Sequence, residues 1–259
     1  MSLQINGLHR VFNSAQGRGH VLRGLDLTVE PGEFVAVIGH SGCGKSTLLN
    51  LIAGLDHATA GTITLDGEPV RGPGPDRAVV FQNFSLLPRQ TLIDNVRTAV
   101  RESRRDWSAT EVDADVERYL RTFGLWEHRH KKPWQVSGGM KQRTAVARAF
   151  AVQPRVLLLD EPFGALDALT RAALQDELVA LWSGDSETEI VVMVTHAVDE
   201  AVLLADRIVV MGNPPAPSIV EIINVDLPRP RERAAVIDDP AFRHLQDQLM
   251  RRLRVQRAA

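Results

Sequence analysis

Cysteine is almost missing from this chain: Cys43 is the single one in 259 residues. No disulfide framework can staple the fold, which points to a reducing compartment. An excess of one charge is missing too. Thirty Lys and Arg stand against 32 Asp and Glu, for a formal net charge of −2, so nothing electrostatic supports a nucleic-acid partner. No stretch reaches the roughly 18 consecutive apolar residues that a membrane span needs. The opening residues, Met1 to Gly7, lack a basic segment followed by an apolar one, so no secretory signal is expected. Any role at a membrane therefore passes through a partner. What is present suffices for a buried core, as one large α/β domain or one with a subdomain.

Against that background one stretch stands out, Gly39-His-Ser-Gly-Cys-Gly-Lys-Ser-Thr47. It fits G-x-x-x-x-G-K-[ST], the phosphate-binding loop. Phe34–Ile38 before it is a short apolar run read as a buried strand, and Leu48, Leu49, Leu51, Ile52 and Ala53 after it continue as a buried helix. Gly39, Gly42 and Gly44 let successive backbone N–H groups turn inward on an anion, and the helix N-terminus adds partial positive charge there. Lys45 reaches the β- and γ-phosphates in such loops, and the Ser46 hydroxyl holds Mg²⁺. His40, Ser41, Cys43 and Thr47 enter through their place in the loop. Cys43 reads as a small loop residue rather than a nucleophile.

In chain order, Leu3, Ile5 and Leu8, then Val21 to Val29, read as two strands joined by a polar Asn13–His20 loop. Phe12 is either an adenine-stacking face or a packed strand-end residue. Gly61–Gly67 alternates like a half-buried strand, Gly72–Pro75 is a loop, and Ala78–Phe81 is another apolar strand ending at Gln82. From Phe84 the texture becomes helical, over Thr91–Arg105 and Thr110–Phe123, which predicts a helical subdomain at about 84–152 inserted in the core. Lys131–Trp134 reads as a loop, and Ser137-Gly-Gly139 opens a helix that Pro154 stops.

Val156–Leu159 then runs into two carboxylates, Asp160 and Glu161, at a strand's C-terminal end, where open α/β sheets place ligands. Downstream of a phosphate loop, Asp160 is positioned to hold Mg²⁺ and Glu161 to orient or deprotonate a water. Asp167–Trp182 predicts an amphipathic helix with Leu174, Leu178, Leu181 and Trp182 inward. Ile190–Val194 is a buried strand ending at Thr195-His196; His196 is either structural or a hydrogen-bonding sensor of a γ-phosphate. Residues 226–259 read as a tail with a short helix carrying Phe242, Leu245, Leu249 and Leu253. Arg251, Arg252, Arg254 and Arg257 make that end basic; the tail either packs on the body or contacts anionic lipid or a membrane partner.

Taken together, these pieces resemble the ATP-binding subunit of ABC transporters. Five signals occur in that family's order: the loop Gly39–Thr47, Gln82, the signature Val136-Ser137-Gly138-Gly139-Met140, the pair Asp160-Glu161, and His196. The resemblance covers about Leu3 to Asp226. It implies an α/β, RecA-like P-loop core over 1–225 with an antiparallel β-subdomain and the inserted helices. It also implies ATP and Mg²⁺ as cofactors, with Ser46, Gln82 and Asp160 at the metal and Phe12 among the ATP-binding residues. Ser137, Gly138, Gly139 and Met140 would cap ATP held by a second subunit in a head-to-tail dimer, either of identical chains or with a related ATPase. The remaining implied partners are integral membrane permease subunits and a solute-binding protein, at the cytoplasmic face of the membrane. Phe84, Leu86 and Leu87 are expected to line the permease groove. Val136 and Met140 depart from the family's common Leu and Gln, without removing a charged or proton-carrying group.

Within the family, Gly74–Arg77, Val80–Asn83, Leu86–Pro88, Ser137–Arg143, Asp160–Ala168 and Leu227–Arg231 are similar to importers of nitrate, bicarbonate, taurine and aliphatic sulfonates. His40–Asn50, Ala53–Asp56 and Val192–His196 look most like nitrate importers, whereas Arg89 stands where that group usually has Trp. A soluble ABC ATPase of the translation or DNA-repair kind would carry two ATPase units or long coiled coils. A GTPase would carry Asn-Lys-x-Asp. None of these features is in the sequence.

Overall fold

The computed structural model describes residues 2–14, 17–164, 166–184, 186–213, 216–229, 231 and 233–258. The chain divides into two compact units, Met1–Gly74 with Glu189–Ala259, and Pro75–Thr188. The first unit opens with β1 (Leu3–Ser14), β2 (Gly17–Val29), β3 (Phe34–Ile38), α1 (Lys45–Ile52), β4 (Ala60–Leu65) and β5 (Glu68–Pro69). The second holds β6 (Arg77–Val80), α2 (Leu92–Ser103), α3 (Ala109–Thr122), α4 (Gly138–Ala151), β7 (Val156–Asp160) and α5 (Ala168–Ser183). The chain then returns to the first unit with β8 (Ile190–Val194), α6 (Val198–Leu204), β9 (Arg207–Met211), β10 (Ile219–Asn224), α7 (Arg233–Val236) and α8 (Pro240–Ala258).

In the first unit β3 lies between β8 and β9, parallel to both, with Val37 opposite Val194 and Val209. Every residue of β3 and β8 is buried, which is why both read as unbroken apolar runs rather than alternations. β10 pairs antiparallel with β9. A second, antiparallel sheet runs in the order β2-β1-β4-β5. It shows the period of two instead: Leu25, Leu27 and Val29 are buried while Asp26 and Thr28 are exposed. The polar stretch expected as an Asn13–His20 loop is mostly strand. β1 and β2 pair as far as Ser14 opposite Gly17, because backbone pairing extends the hairpin past the last apolar side chain. Ala15 and Gln16, the remainder of that expected loop, lie outside the described residues.

In the second unit β6 and β7 are parallel, with Val80 opposite Leu159. α2, α3 and α4 pack on one another, and Leu92, Val96, Val100, Val116, Leu120 and Phe150 are among the buried residues they carry. Each of these helices starts at a side-chain cap. Thr91 accepts from the Asp94 N–H, Ser108 and Glu111 form a capping box, and Ser137 accepts from the Met140 N–H. Lys131–Trp134, expected as loop, runs into a single 3₁₀ turn at Pro133–Gln135. α5 buries Leu174, Gln175 and Leu178, while Leu181 and Trp182, near its C-terminal end, are only half-buried. The C-terminal helix α8 has 19 residues and is not short. Among its described side chains Phe242 and Leu249 are the buried ones, and the side chain of Arg257 lies outside the described residues. So do Ala165 and Pro230, within two of the stretches that carry the subgroup resemblance.

Candidate functional site

The phosphate loop leaves the C-terminal end of β3 and enters α1. Gly44, the residue before α1, has φ 105°. A Cβ there would lie 2.9 Å from Leu22 Cδ2, so both conformation and space require glycine. At Gly39 the demand is steric: a Cβ would meet Cys43 Sγ at 2.7 Å and the Met211 carbonyl oxygen at 2.8 Å. Lys45 is buried, and its ammonium donates to the carbonyls of Gly39 at 2.8 Å and His40 at 3.0 Å. A full positive charge therefore sits inside the turn, where the α1 N-terminus adds its own partial charge. Ser41, Gly42 and Ser46 are exposed, and Thr47 is half-buried. Burial pushes the Cys43 thiol above its ordinary range, against the smaller opposing pull of the Lys45 ammonium. That environment suits packing and not thiolate chemistry.

Two neighbours in the same unit complete this end of β3. The Thr195 N–H donates to the Val37 carbonyl at 3.2 Å, so the residues that follow β8 sit beside the strand that feeds the loop. His196 is exposed there. The buried Thr195 hydroxyl donates to Glu200 Oε2 at 2.6 Å and accepts from the Ala197 N–H at 3.0 Å, which fixes the turn that presents His196. The other neighbour is not apparent from sequence. His40 Nε2 donates to the Leu253 carbonyl of α8 at 2.7 Å, so its side chain anchors the C-terminal helix while its backbone serves the loop. Phe12 on β1 is 41% exposed, with the Arg10 guanidinium stacked 4.3 Å from its ring centre. Arg10 is itself held by a two-pronged pair to Asp56. Phe12 thus presents a face rather than filling the core.

In the second unit β6 and β7 end side by side, Val80 opposite Leu159, and Gln82 and Glu161 each lie two residues further on. Gln82 Nε2 donates to Glu161 Oε2 at 2.9 Å. Glu161 has φ 47°, an uncommon left-handed conformation for glutamate. It follows Asp160 at the very end of β7, and both are half-buried. A left-handed carboxylate held by an amide is a positioned group, in keeping with a strained functional turn. With its amide nitrogen engaged, Gln82 keeps its Oε1 as the oxygen ligand available to a cation.

The same unit contains a second anion-compatible site. Ser137 caps α4, and Asp167 caps α5 by accepting from the Thr170 N–H at 3.0 Å. That hydrogen bond holds the Asp167 carboxyl below its ordinary range. Both helix N-termini open on a cavity of about 280 Å³ lined by Ser137, Gly138, Gly139, Met140, Arg143, Leu166, Asp167 and Thr170. Space at 139 is tight: a Cβ there would lie 2.9 Å from Thr170 Cγ2, so the Thr170 side chain would have to shift. Arg143 and Thr170 are not marked from sequence as site residues. Their helical spacing from Gly139 and Asp167 is the only signal they carry.

A further groove of about 280 Å³ is lined by Asn83, Phe84, Leu86, Pro88, Pro133, Trp134 and Lys141. Phe84 and Leu86 belong to it as expected. Leu87 is exposed and is not among its lining residues, because its backbone is tied to Asn95: the Leu87 N–H donates to Asn95 Oδ1 at 2.7 Å. Trp134, 61% exposed, brings an indole to the same groove, and nothing in its sequence surroundings marks it for that place.

The family profile for the ABC transporter matches residues 22–164, more than half of the 259-residue chain. The nitrate import ATP-binding protein NrtD of Synechococcus elongatus is 48% identical over 248 residues, covering 96% of this chain and 90% of that protein. The nitrate transport protein NasD of Klebsiella oxytoca is 49% identical, covering 96% and 94%. The bicarbonate transport ATP-binding protein CmpD of Synechococcus elongatus is 46% identical, covering 95% and 87%. Among solved structures, the dimeric post-hydrolysis state of the ATP-binding cassette MJ0796 bound to ADP and Pi superposes with a TM-score of 0.76. Its sequence is 29% identical, and the match covers 86% of this chain and 98% of that one. Matches of this extent in sequence and in structure agree with the order in which the loop, the glutamine, the capped glycines, the acid pair and the histidine occur. The chain belongs to the ABC transporter family and has the fold of its ATP-binding cassettes.

Proposed function

We propose that this chain binds and hydrolyses ATP to drive a membrane importer, and that the solute is nitrate, with nitrite as a second substrate. The observation that carries the ATPase reading is the buried Lys45 ammonium inside a loop that ends on the α1 N-terminus. Its backbone donors and point charge match a polyphosphate. In this reading Lys45 neutralises the β- and γ-phosphates and Phe12 offers a face to the adenine. Glu161 takes a proton from the attacking water, held in place by the Gln82 amide. His196 hydrogen-bonds the γ-phosphate. Mg²⁺ would be held by Ser46, Asp160 and the Gln82 Oε1, oxygen donors of the kind this ion prefers. Bound there, the ion would offset charge developing on the phosphates. Ser137, Gly138, Gly139 and Met140 cap the γ-phosphate of a second subunit. The paired helix N-termini around the signature cavity support that role, as does the dimeric state of the MJ0796 cassette.

The permease docks in the groove of Phe84, Leu86, Pro88 and Trp134. Among the described residues no helix is long and apolar enough to cross a membrane, so coupling to transport needs such a surface, and its apolar lining suits a helix of an integral membrane protein. That partner places the chain at the cytoplasmic face. Nitrate rests on the similarity to NrtD and NasD; bicarbonate is the second reading, on the similarity to CmpD. Uptake of labelled nitrate at micromolar supply in a deletion strain, with the wild-type gene restored, is the test. Nitrate uptake is expected to vanish on deletion and return on restoration. Unchanged nitrate uptake with lost bicarbonate uptake would transfer the assignment to bicarbonate.

A further inference from the structure

The loop between Gln82 and Gln90 contains two consecutive non-glycine residues in the left-handed region, Phe84 at φ 64° and Ser85 at φ 43°. Each such conformation is costly for an L-residue, and persists only where its surroundings hold it. Local turns account for part of that support: the Phe84 N–H donates to the Phe81 carbonyl at 2.9 Å, and the Ser85 N–H to the Asn83 carbonyl at 2.8 Å. The two carbonyls that follow these strained torsions share one donor. Arg148 Nη1 donates to the Ser85 oxygen at 2.8 Å, and Nη2 to the Phe84 oxygen at 3.2 Å. Among the described residues Arg148 forms no ion pair. Burial alone pulls its guanidinium below the ordinary range. A desolvated cation that meets only backbone carbonyls is a poor source of stability. Its planar fork does match two successive oxygens pointing the same way, which a lysine cannot do.

Arg148 lies on α4, the helix that begins at the signature glycines. Lys141, two turns earlier on the same helix, is a lining residue of the docking groove, as are Phe84 and Leu86. We infer that Arg148 is a positioning residue for that groove: its guanidinium holds the Phe84–Ser85 pair in its left-handed turn. The apolar side chains that meet the permease are thereby set by the helix that bears the signature. This inference rests on the groove being the permease site. The clamp itself is intramolecular and can be measured without a permease.

The experiment compares the wild type, Arg148→Lys, and Arg148→Lys combined with Ser85→Gly. Backbone hydrogen exchange is followed by mass spectrometry on the isolated full chain, and nitrate uptake is measured in the complemented deletion strain. Lysine keeps the charge but donates as a single point, so exchange within 82–90 should quicken by about tenfold, the loss of one charge-assisted hydrogen bond. Exchange in α4 and α2 should stay as in wild type, and uptake should fall. Glycine at 85 adopts the left-handed turn without penalty, so the double variant should regain part of both losses. Unchanged exchange in 82–90 would overturn the clamp. So would faster exchange spread over α2 and α4 without rescue by glycine, which marks a role in general packing. Faster loop exchange with full uptake would overturn the link to docking. If wild type itself restores no nitrate uptake, the importer reading fails, and the exchange arm still decides the clamp.

Discussion

Replacing Lys45 by alanine removes the one side-chain charge placed inside the phosphate loop, and the structure sets the size of the effect. The ammonium is buried and already directed at the loop, 2.8 Å from the Gly39 oxygen and 3.0 Å from that of His40. Little reorganisation is therefore needed for it to face a phosphate. A hydrogen bond to a charged group contributes about 1.5–3 kcal/mol. At 1.4 kcal/mol per decade, its loss weakens ATP affinity by about 10- to 150-fold. The backbone N–H groups and the α1 dipole remain, which is why residual binding is expected rather than none. Titration calorimetry of the purified variant with ATP and Mg²⁺ reads this directly. A urea unfolding curve run alongside separates binding from stability, because the variant also loses the two internal hydrogen bonds. Affinity within threefold of wild type, with the fold intact, would refute the assignment of this loop to phosphate.

The other expectations concern the surroundings of the site. Cys43 is buried and its thiol is pushed up, so iodoacetamide should label the native chain far more slowly than the unfolded one. Equal rates with and without denaturant would contradict the packing described. The Asp167 carboxyl is held down by the Thr170 N–H. A depressed carboxylate stabilises the fold above its unfolded pKa and loses that contribution as pH falls through its folded value. Asp167→Asn should therefore flatten the drop in urea midpoint between about pH 5 and pH 3, and an identical acid limb would count against the cap. Asn95 is buried, accepts from the Leu87 N–H and donates to the carbonyls of Thr91 at 2.8 Å and Leu87 at 3.2 Å. Asn95→Ala should cost about 2–4 kcal/mol of stability, and a urea midpoint equal to that of wild type would remove its role in shaping the loop.

The phosphate loop and the two strand-terminal carboxylates were legible because their chemistry is local. A glycine pattern between an apolar strand and a helix dictates both conformation and charge within a dozen residues. β3, β7 and β8 were equally plain, as runs buried on both faces. What escaped depends on partners distant in sequence. The β1–β2 hairpin extends through polar residues because the backbone, not side-chain hydropathy, makes those pairs. The place of Gln82 in the sequence suggests a metal ligand, but its hydrogen bond to Glu161 depends on how β6 and β7 pair, which no single strand reveals. His40 to Leu253 spans 213 residues. Arg148 carries no sequence signal of its clamp, because its partners are backbone carbonyls of any residue type. The 19-residue length of α8 is hard to read because, among the described side chains, only Phe242 and Leu249 are buried along it, and two buried positions make a weak helical period.

Glu161→Gln tests the central claim most directly, since it changes one proton-accepting group and leaves the shape of the turn. The carboxamide can still meet Gln82, but it cannot take a proton from water. Steady-state ATP hydrolysis should fall by about 10²- to 10⁴-fold, while ATP affinity is kept. Size-exclusion chromatography in ATP and Mg²⁺ should then show a stable dimer of the variant. Hydrolysis at the wild-type rate, or a monomer under saturating ATP, would contradict the account of Glu161 as the base in an ATP-clamped pair.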